Sequence, residues 1–391
     1  MARRVCVVTG SRADFGYLVE PMRRLQRDPE FELQTVVCGG HLSAALGNTY
    51  RSVIEAGFVI DARVDMMLAG DSRAAVTKAL GLGTIGFADA FERLQPDMVM
   101  LLGDRYETFA AATASVMANV PIAHLAGGDV SEGAVDEQLR HAITKLSHLH
   151  FVTHTAAADR VRQMGEDPAR IHCVGSTSLD VILSRPRGSR EETFAAAGLV
   201  PGKQNIVLAY HPETLGRTPA LEQLAEVFDA LDGFGSELGI VVVAANADAD
   251  GGKVNAALQA FAAARSHVSY RASLPHEAYL SLLAHCDALV GNSSSGLYEA
   301  PSFATPTVNI GDRQRGRTRA ASVFDCPADA QAIVDTLRRA LHFARRHVVN
   351  PYGDGRASER IVRVLRAIED PQALLHKRFH GLEDAHAAFA A

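Results

Sequence analysis

The feature that most constrains this chain is a repeated alternation of short apolar runs with helical stretches. Parallel β-strands that are covered by helices on both faces read as such near-continuous apolar runs. The alternation therefore predicts an α/β protein with doubly wound parallel sheets. The runs fall into two series, at 4–9, 33–38, 98–102, 121–125 and 150–153, and at 205–210, 239–244, 268–270, 288–291 and 307–310.

A segment rich in turn-forming and charged residues, 184–203, separates the two series. At 391 residues the chain is also too long for one compact core. We therefore predict an N-terminal Rossmann-like domain over 1–184 and a C-terminal one over 203–353. The C-terminal segment 357–391, which begins with an amphipathic helix over 357–368, is expected to join the first domain.

Charge and composition exclude several classes of partner. The formal charge is −6, from 39 Lys plus Arg against 45 Asp plus Glu, and the signs are mixed along the chain. We therefore expect no nucleic-acid partner and no anionic membrane surface. No window approaches the roughly 18 apolar residues of a membrane span, and the first residues do not have the pattern of a signal peptide. The five scattered cysteines indicate reduced thiols and a cytoplasmic location.

Parallel α/β sheets bind ligands at the carboxyl ends of their strands, so the site is expected there, in the cleft between the two domains. The chain has no G-x-G-x-x-G fingerprint and no G-x-x-x-x-G-K-[ST] loop, which disfavours NAD and ATP. It also has no G-x-S-x-G elbow, which disfavours a serine hydrolase. His148, His150 and His154 lack a carboxylate or thiol that would complete a cluster. We predict no metal and no cofactor.

Carboxylates gather at the strand ends of the first domain. Asp104 and Asp129 each follow a strand, and Asp136 with Glu137 begins a helix over 136–147. Carboxylates that repel one another raise the pKa of at least one of them, so that one acts as an acid and another as a base. This arrangement suits proton transfer on a sugar.

A local interpretation of the two helical acids stays open. Asp136 with Arg140, and Glu137 with His141, are i,i+4 partners, and acidic side chains stabilise a helix start.

Hydroxyl-rich and basic loops follow other strands and are suited to a nucleotide diphosphate. The loop 291–296, Gly-Asn-Ser-Ser-Ser-Gly, offers hydroxyls and amides, and a carboxylate at Glu299 could bind a ribose diol. His211 is expected to protonate or contact a leaving phosphate. The alternatives are a simple tight turn for the loop 10–16, which carries Arg12, a serine helix cap for the loop 291–296, and an exposed loop histidine for His211. The expected substrate-binding residues are Arg12, His41, Asn246, His276, Asn292, Ser293, Ser294, Ser295, Gly296, Glu299, Arg313 and Arg317.

These motifs in this order resemble the hydrolysing UDP-N-acetylglucosamine 2-epimerases of bacterial sialic-acid and related nonulosonic-acid biosynthesis. The resemblance extends over residues 4 to about 353. The motifs that carry it are Thr9-Gly-Ser-Arg-Ala-Asp-Phe-Gly16, Gly39-Gly-His41, Leu102-Gly-Asp-Arg-Tyr-Glu107, Gly127-Gly-Asp129 with Asp136-Glu137 and Arg140-His-Ala-Ile-Thr-Lys145, His211-Pro-Glu-Thr214, Gly291-Asn-Ser-Ser-Ser-Gly296 and Asn309-Ile-Gly-Asp-Arg313.

The resemblance implies a GT-B architecture, a cytoplasmic homodimer or homotetramer, and a UDP-sugar bound between the domains. The motifs around Gly10 and Gly103 differ from the Gly-Thr-Arg-Pro-Glu and Gly-Asp-Thr of non-hydrolysing relatives, which places the chain on the hydrolysing branch. One departure concerns Asp129, where many sialic-acid-pathway members have Glu. The shorter side chain changes the reach to the sugar.

The implied reaction converts UDP-N-acetylglucosamine and water to N-acetylmannosamine and UDP through 2-acetamidoglucal. Asp104, Asp129 and Asp136 would form the acid, base and electrostatic set, with Glu137 in support, while His211 stabilises the leaving diphosphate. One alternative keeps the chemistry but uses a UDP-2,4-diacetamido-2,4,6-trideoxyhexose, as in legionaminic-acid routes. A glycosyltransferase and a non-catalytic nucleotide-sugar sensor are the further alternatives.

Overall fold

The chain forms two compact units. The computed structural model describes residues 2–44, 47–68, 73–131, 135–184, 188–212, 218–245, 251–272 and 274–381. Unit 1 comprises the described residues of Met1–Val130, Ala134–Val181 and Tyr352–Ala391, and unit 2 comprises those of Ser131–Gly133 and Ile182–Pro351. The predicted boundary segment, 184–203, begins three residues after Val181, the last residue of unit 1 before the long segment Ile182–Pro351 of unit 2.

Each unit is built on one parallel sheet. The strands of unit 1 are β1 (Arg3–Thr9), β2 (Phe31–Cys38), β3 (Ala62–Val64), β4 (Met98–Leu102), β5 (Ile122–Leu125), β6 (Leu149–Val152) and β7 (Ile171–Cys173). The strands of unit 2 are β8 (Gln204–Ala209), β9 (Leu238–Val243), β10 (Val268–Arg271), β11 (Ala288–Gly291), β12 (Thr307–Ile310) and β13 (Val323–Cys326). The strand orders are 3-2-1-4-5-6-7 and 10-9-8-11-12-13. In both sheets the strands are added first on one side of the first strand and then on its other side, which makes the sheets doubly wound.

Helices connect the strands. They are α1 (Arg12–Arg27), α2 (Tyr50–Glu55), α3 (Arg73–Leu94), α4 (Tyr106–Met117), α5 (Val135–Leu146), α6 (Thr155–Gln163), α7 (Asp180–Ser184), α8 (Arg190–Ala196), α9 (Ala220–Asp232), α10 (Gly251–Ala263), α11 (His276–His285), α12 (Ser295–Tyr298), α13 (Ala330–Leu341) and α14 (Ala357–Arg366). None of the helices in the described ranges combines the length and the apolar character needed to cross a bilayer.

The sheet of unit 1 has an apolar layer on each face. One layer packs β1 and β4 against α1 and α14, through residues such as Leu18, Met22 and Ile361. The other packs the opposite face against α3 and α4, through Phe87 and Phe91. Burial on both faces explains why these strands are apolar throughout.

The predicted fold class and the ten predicted strands are confirmed, with ends that differ by about two residues or fewer. Three strands were missed in the sequence: β3, β7 and β13. Each is short and forms an edge of its sheet. Edge strands are half-exposed, so they lack the continuous apolar run that marks a central strand.

The described part of the segment after Pro371 packs on unit 1. Lys377 donates hydrogen bonds to the buried carboxylate of Glu166 at 2.8 Å and to the backbone oxygen of Lys145, the penultimate residue of α5, at 2.6 Å. Arg170 donates to the backbone oxygen of Leu374 at 2.7 Å. Contacts of single side chains with backbone oxygens leave no periodic pattern, which is why the sequence did not reveal them.

Candidate active site

The turn after β4 presents Asp104 at the carboxyl end of the unit 1 sheet. Gly103 has a φ of +77°, a left-handed conformation that glycine adopts without a steric penalty. The chain reverses there before α4, which leaves the Asp104 side chain about one quarter exposed, at 24%. The adjacent Glu107, in the first turn of α4, is buried and forms an ion pair with Arg105 at 3.0 Å.

Arg140 of α5 gathers the acidic residues of unit 1. Its guanidinium is buried, pairs with the carboxylate of Asp104, and donates to Glu137 Oε2 at 2.9 Å. It also donates to the backbone oxygen of Asp129 at 2.8 Å. One buried cation therefore holds the loop after β4, the loop after β5 and the first turn of α5 together. A planar guanidinium with five donors is suited to several acceptors at once.

Asp129 is held by residues that the sequence analysis did not connect with it. The Thr153 hydroxyl donates to Asp129 Oδ1 at 2.6 Å, and His154 Nε2 lies 3.4 Å from the same oxygen. Both residues directly follow β6, the neighbour of β5 in the sheet. Burial lowers the pKa of His154, and the Asp129 charge partly opposes this effect. The sequence did hold one signal of these contacts: Thr153 and His154 follow a strand, as Asp129 does, so all three lie at the carboxyl end of the sheet.

Asp136 lies in the first turn of α5. Burial, and next the negative charge of Asp104, raise the pKa of its carboxyl. The direction matches the expectation that one member of the acidic set retains its proton to higher pH. Of the expected i,i+4 contacts, Glu137 and His141 do pair, at 3.1 Å. The roles of the four acids in catalysis stay predictions.

The loops after β1 and β2 are held by hydrogen bonds within unit 1. His41 is fully buried, and its two ring nitrogens bond the hydroxyls of Thr9 at 3.0 Å and Thr49 at 2.9 Å. Ser11 and Asp14 form a capping box at the N-terminus of α1, in which each side chain accepts a hydrogen bond from the backbone nitrogen of the other. Arg12 is the first residue of α1, but its side chain lies outside the described part of the structure, as do the side chain of His276 and the whole of Asn246.

Asn292 organises the corresponding edge of unit 2. Its side chain accepts a hydrogen bond from the His211 backbone nitrogen at 2.7 Å and donates to the His211 backbone oxygen at 2.8 Å. The turn between β11 and Asn292 requires glycine: Gly291 has a φ of +127°, and a Cβ there would collide with the Ala209 backbone. Two strand ends, those of β8 and β11, are therefore joined by one buried amide.

The serine loop that follows is partly buried and internally bonded. Ser295 Oγ lies 2.5 Å from the Tyr279 hydroxyl and 3.0 Å from Ser293 Oγ. Ser294 precedes the four-residue helix α12 and forms no side-chain capping hydrogen bond, so a simple serine cap does not explain it. Gly296 lies against Thr307, whose hydroxyl bonds the Gly296 carbonyl at 3.0 Å.

Glu299, one residue past α12, is buried. Its negative charge contributes to the raised pKa of Tyr279, although burial of that phenol is the larger cause. The carboxylate therefore lies near Tyr279, which pairs with Ser295.

His211 and Arg313 lie near each other. Arg313 donates to the backbone oxygen of Asn292 at 3.1 Å, and Gln314 donates to the same atom at 2.8 Å. Burial, and next the Arg313 charge, lower the pKa of His211 to about 4. At pH 7 a histidine with this pKa is neutral, and a neutral imidazole has one N–H donor. Arg317 lies over the Tyr298 ring at 5.5 Å.

Within the described ranges, no group of three or more His, Cys, Asp or Glu side chains is arranged to hold a metal ion. The histidines considered in the sequence have protein partners. His150 bonds Glu166 at 2.9 Å, and His148 Nδ1 accepts a hydrogen bond from the Ile122 backbone at 3.1 Å.

Comparison with known proteins assigns the family. The model of the UDP-N-acetylglucosamine 2-epimerase family matches residues 23–366. The chain belongs to this family. The resemblance seen in the motifs is thereby confirmed.

Two groups of relatives of this epimerase-family chain are informative. It is 36% identical to the hydrolysing UDP-N,N'-diacetylbacillosamine 2-epimerase of Legionella pneumophila, over 96% of this chain and 99% of the relative. It is 32% identical to the polysialic acid biosynthesis protein P7 of Escherichia coli, over 99% of this chain and all of the relative. It is also 32% identical to the UDP-N-acetylglucosamine 2-epimerase of Neisseria meningitidis, over 96% and 98%.

Solved structures confirm the GT-B-like architecture of this family member. A Neisseria meningitidis UDP-GlcNAc 2-epimerase bound to UDP-GlcNAc aligns with a TM-score of 0.79, at 17% identity, over 93% of this chain and all of that one. The calicheamicin glycosyltransferase CalG4 aligns with a TM-score of 0.54, at 14% identity, over 94% and 99%. At these identities the likeness concerns the fold alone.

Proposed function

We propose that this chain is a hydrolysing UDP-sugar 2-epimerase. It removes the C2 proton of a UDP-linked 2-acetamido sugar and expels UDP from C1, which leaves a 2-acetamidoglucal. Water then adds at C1, and C2 receives a proton on the opposite face. The products are the free C2-epimeric sugar and UDP. The reaction needs no oxidant or reductant, so we propose that no cofactor takes part.

The observation that carries this proposal is the set of acids around Arg140. Departure of UDP builds positive charge on the sugar ring, and carboxylates fixed near that ring stabilise it in the transition state. Asp104 and Glu137 are held by the Arg140 guanidinium, and Asp129 by the Arg140 contact to its backbone. Because such groups are already oriented, little reorganisation is needed when the charge develops.

We assign different tasks to the three aspartates. Asp136, whose pKa is raised, is proposed to return the proton to C2, since it retains a proton to higher pH than an ordinary aspartate. Asp129, held by Thr153, is proposed as the base. Asp104 is proposed to stabilise the developing positive charge.

Most of the groups that would accept the leaving diphosphate lie in unit 2, and one of them, Arg12, lies in unit 1. His211, Arg313 and the hydroxyls of the serine loop supply neutral donors and one cation, which suit phosphate oxygens. Arg12 and the hydroxyl of Ser294 are proposed to contribute as well. Glu299 is proposed to accept hydrogen bonds from the ribose diol, as acidic residues do in nucleotide-binding folds.

Two sugars are candidate substrates. UDP-N-acetylglucosamine is the substrate that the motifs predict, and a relative at 32% identity is named for it. The identity of 36% to hydrolysing diacetylbacillosamine epimerases specifically favours UDP-N,N'-diacetylbacillosamine as the second candidate. The shorter Asp129 side chain is where the two would be distinguished. A pocket that selects by such small differences achieves a preference of about tenfold to 200-fold in kcat/KM.

A proton NMR time course in deuterium oxide with EDTA tests the reaction. We expect release of UDP and of a free epimeric sugar that carries deuterium at C2, with either candidate substrate compared in parallel. Formation of UDP-N-acetylmannosamine would contradict hydrolysis. Transfer of the sugar to an added acceptor would indicate a glycosyltransferase, and unchanged substrates would indicate a sensor. Loss of the reaction in EDTA would contradict the absence of a metal.

We further propose a cytoplasmic location and a homo-oligomer. The scattered cysteines support the first: Cys6, Cys38, Cys286 and Cys326 are buried free thiols, and Cys173 is an exposed one. Free thiols persist in a reducing compartment.

A further inference from the structure

The loop that carries Asp129 lies directly against the start of α6. Gly128 has a φ of +76°, and a Cβ there would come within 2.5 Å of the Ala157 backbone oxygen. Glycine permits both this conformation and this close approach of two backbone segments. Arg160, also in α6, donates a hydrogen bond to the Gly128 backbone oxygen. The first two turns of α6 therefore fix the backbone beside Asp129.

His154 connects α6 with the Asp129 carboxylate. It is buried and is the N-cap of α6, and its Nδ1 accepts a hydrogen bond from the Ala157 backbone nitrogen at 3.1 Å. Its other ring nitrogen, Nε2, lies 3.4 Å from Asp129 Oδ1. This contact is longer than a full hydrogen bond, as contacts between catalytic groups often are until substrate binds.

The helix cap decides which nitrogen of His154 carries the proton. A ring nitrogen that accepts a hydrogen bond has no proton of its own, so the neutral imidazole carries its proton on Nε2. Burial lowers the pKa of His154, the Asp129 charge opposes this effect, and the Arg160 charge adds to it. The neutral form therefore predominates at pH 7 and directs an N–H group at Asp129.

Two further contacts restrict this arrangement. The buried ring of Tyr352 meets the His154 ring edge-on, with centroids 5.3 Å apart and planes at 78°, which limits rotation of the imidazole. The Thr153 hydroxyl donates to Asp129 Oδ1 at 2.6 Å, the same oxygen that His154 faces. Two donors from consecutive residues thus converge on one oxygen of the carboxylate and limit its rotation.

We propose that His154 is a positioning residue for the base: its Nε2–H group holds the Asp129 carboxylate in the orientation that removes the C2 proton. This role rests on the proposed function, since it assumes that Asp129 is the base. As the C2–H bond breaks, its electron pair forms the C1–C2 double bond, UDP leaves with the electron pair of the C1–O bond, and the proton goes to Asp129.

His154 itself does not relay this proton. Its Nε2 already carries one, and its Nδ1 is occupied by the Ala157 N–H group. The proton from C2 therefore stays on Asp129 until it is released to water.

His154 has two separable contacts, and two substitutions divide them. Asparagine places its side-chain oxygen where Nδ1 lies, so His154→Asn keeps the cap of α6 and loses the contact with Asp129. Glutamine places its side-chain amide nitrogen where Nε2 lies, so His154→Gln keeps a donor towards Asp129 and loses the cap. A residue that only capped the helix would make the glutamine variant the damaged one.

The first test compares UDP release and Tm of the full chain. The substrate is UDP-N-acetylglucosamine or UDP-N,N'-diacetylbacillosamine, whichever the wild type turns over. We expect His154→Asn to lower kcat at least about tenfold with KM within about threefold, because the base is misoriented while substrate binding is kept. His154→Gln should keep kcat within about threefold. Its Tm should fall by about 2–4 °C through loss of the cap, whereas the Tm of His154→Asn should not.

Asp329→Ala is the matched control for loss of a cap alone. The Asp329 side chain caps α13 in unit 2 by accepting a hydrogen bond from the Ala332 backbone nitrogen at 2.8 Å. This variant should lower Tm and leave kcat unchanged.

Substrate deuterated at C2 supplies a readout that loss of stability does not move. Slower proton removal makes that step more rate-limiting, so the deuterium isotope effect on kcat/KM should be larger in His154→Asn than in wild type. A variant that merely loses folded protein has fewer active molecules with an unchanged isotope effect.

The outcomes separate this role from the reaction itself. An active wild type with wild-type kcat and isotope effect in His154→Asn would overturn the positioning role and leave the epimerase reaction standing. A loss of kcat confined to His154→Gln would also overturn it, because His154 would then act only as a helix cap. A wild type that turns over neither UDP-sugar would contradict the proposed function, and the role of His154 with it.

Discussion

The two units share one strand order over six strands, to which unit 1 adds β7, but they carry different chemistry at their strand ends. In unit 1, the residues that gather there are acids, held by the buried guanidinium of Arg140. In unit 2 they are hydroxyls and amides, and the buried side chain of Asn292 joins two of the strand ends through the His211 backbone. The parallel sheet therefore supplies only the place for a site. The residue that cross-links neighbouring strand ends decides which charge can be concentrated there.

The largest expected effect comes from Asp104. Asp104→Asn should lower turnover at least about 10³-fold, since its charge would stabilise the sugar ring only in the transition state. Affinity for UDP should stay within about threefold, because UDP would be bound by unit 2. Turnover by NMR and UDP binding by calorimetry measure both quantities.

The matched control for this variant is Asp65→Asn, an exposed aspartate of the same unit. It should leave turnover and UDP affinity unchanged. If Asp104→Asn weakened UDP binding as strongly as it slows turnover, the division of labour between the units would be wrong.

A smaller effect is expected from Glu299. Glu299→Ala should weaken UDP binding by about 1–3 kcal/mol, the usual cost of leaving a buried polar partner unsatisfied. Turnover at saturating substrate should change much less. Glu222→Ala, at an exposed acid of α9 in the same unit, serves as the control in the calorimetric titration. An unchanged UDP affinity in Glu299→Ala would remove this residue from the nucleotide site.

The smallest effect is a difference in acid stability between the units. Histidines whose pKa is lowered by burial are concentrated in unit 1. In unit 1 they are His41, His124, His148, His150, His154 and His172, whereas His211 is the one such histidine resolved in the described part of unit 2. The pKa of His124 is about 3 and that of His148 about 4, against 6.5 for an ordinary histidine in water.

Each of these histidines has a higher pKa in the unfolded chain than in the folded protein, so the unfolded chain binds its protons first as the pH falls. As the pH falls from about 6.5 towards 4, the unfolded chain gains protons that the folded unit does not, so each histidine removes stability over this window. We expect hydrogen exchange at pH 5 to accelerate more in unit 1 than in unit 2, relative to pH 7.5. His172→Gln should reduce the difference slightly, and His342→Gln, at an exposed site in unit 2, should not. Equal acceleration in both units would contradict this expectation.

Much of the fold was predictable because burial on both faces leaves a direct mark on the sequence. The central strands, such as β4 and β11, are apolar from end to end and were located to within about two residues. Three of the four edge strands were not, and one of these three, β7, has no fully buried residue. The docking of Lys377 beside α5 was also missed, because a single amine that binds carbonyl oxygens has no sequence pattern.

The sequence predicted which residues lie at the candidate site better than it predicted the hydrogen bonds and ion pairs that hold them. Placing Asp104 and Asp129 after neighbouring strands required only the order of the elements. The roles of Thr153 and Arg140 in holding them depend on side-chain geometry across three loops. His211 is the clearest case: its position followed from the strand before it, whereas its neutral state follows from burial beside Arg313.

The order of apolar runs, glycine turns and polar strand ends, read along the chain, was enough to determine two doubly wound sheets, the family and the residues at the strand ends. Packing in three dimensions decided which groups are cross-linked and which titrate abnormally. The two kinds of property depend on interactions that act over different distances along the chain. Periodicity and turn preferences act between residues close in sequence, whereas burial, ion pairing and pKa depend on residues brought together from distant segments.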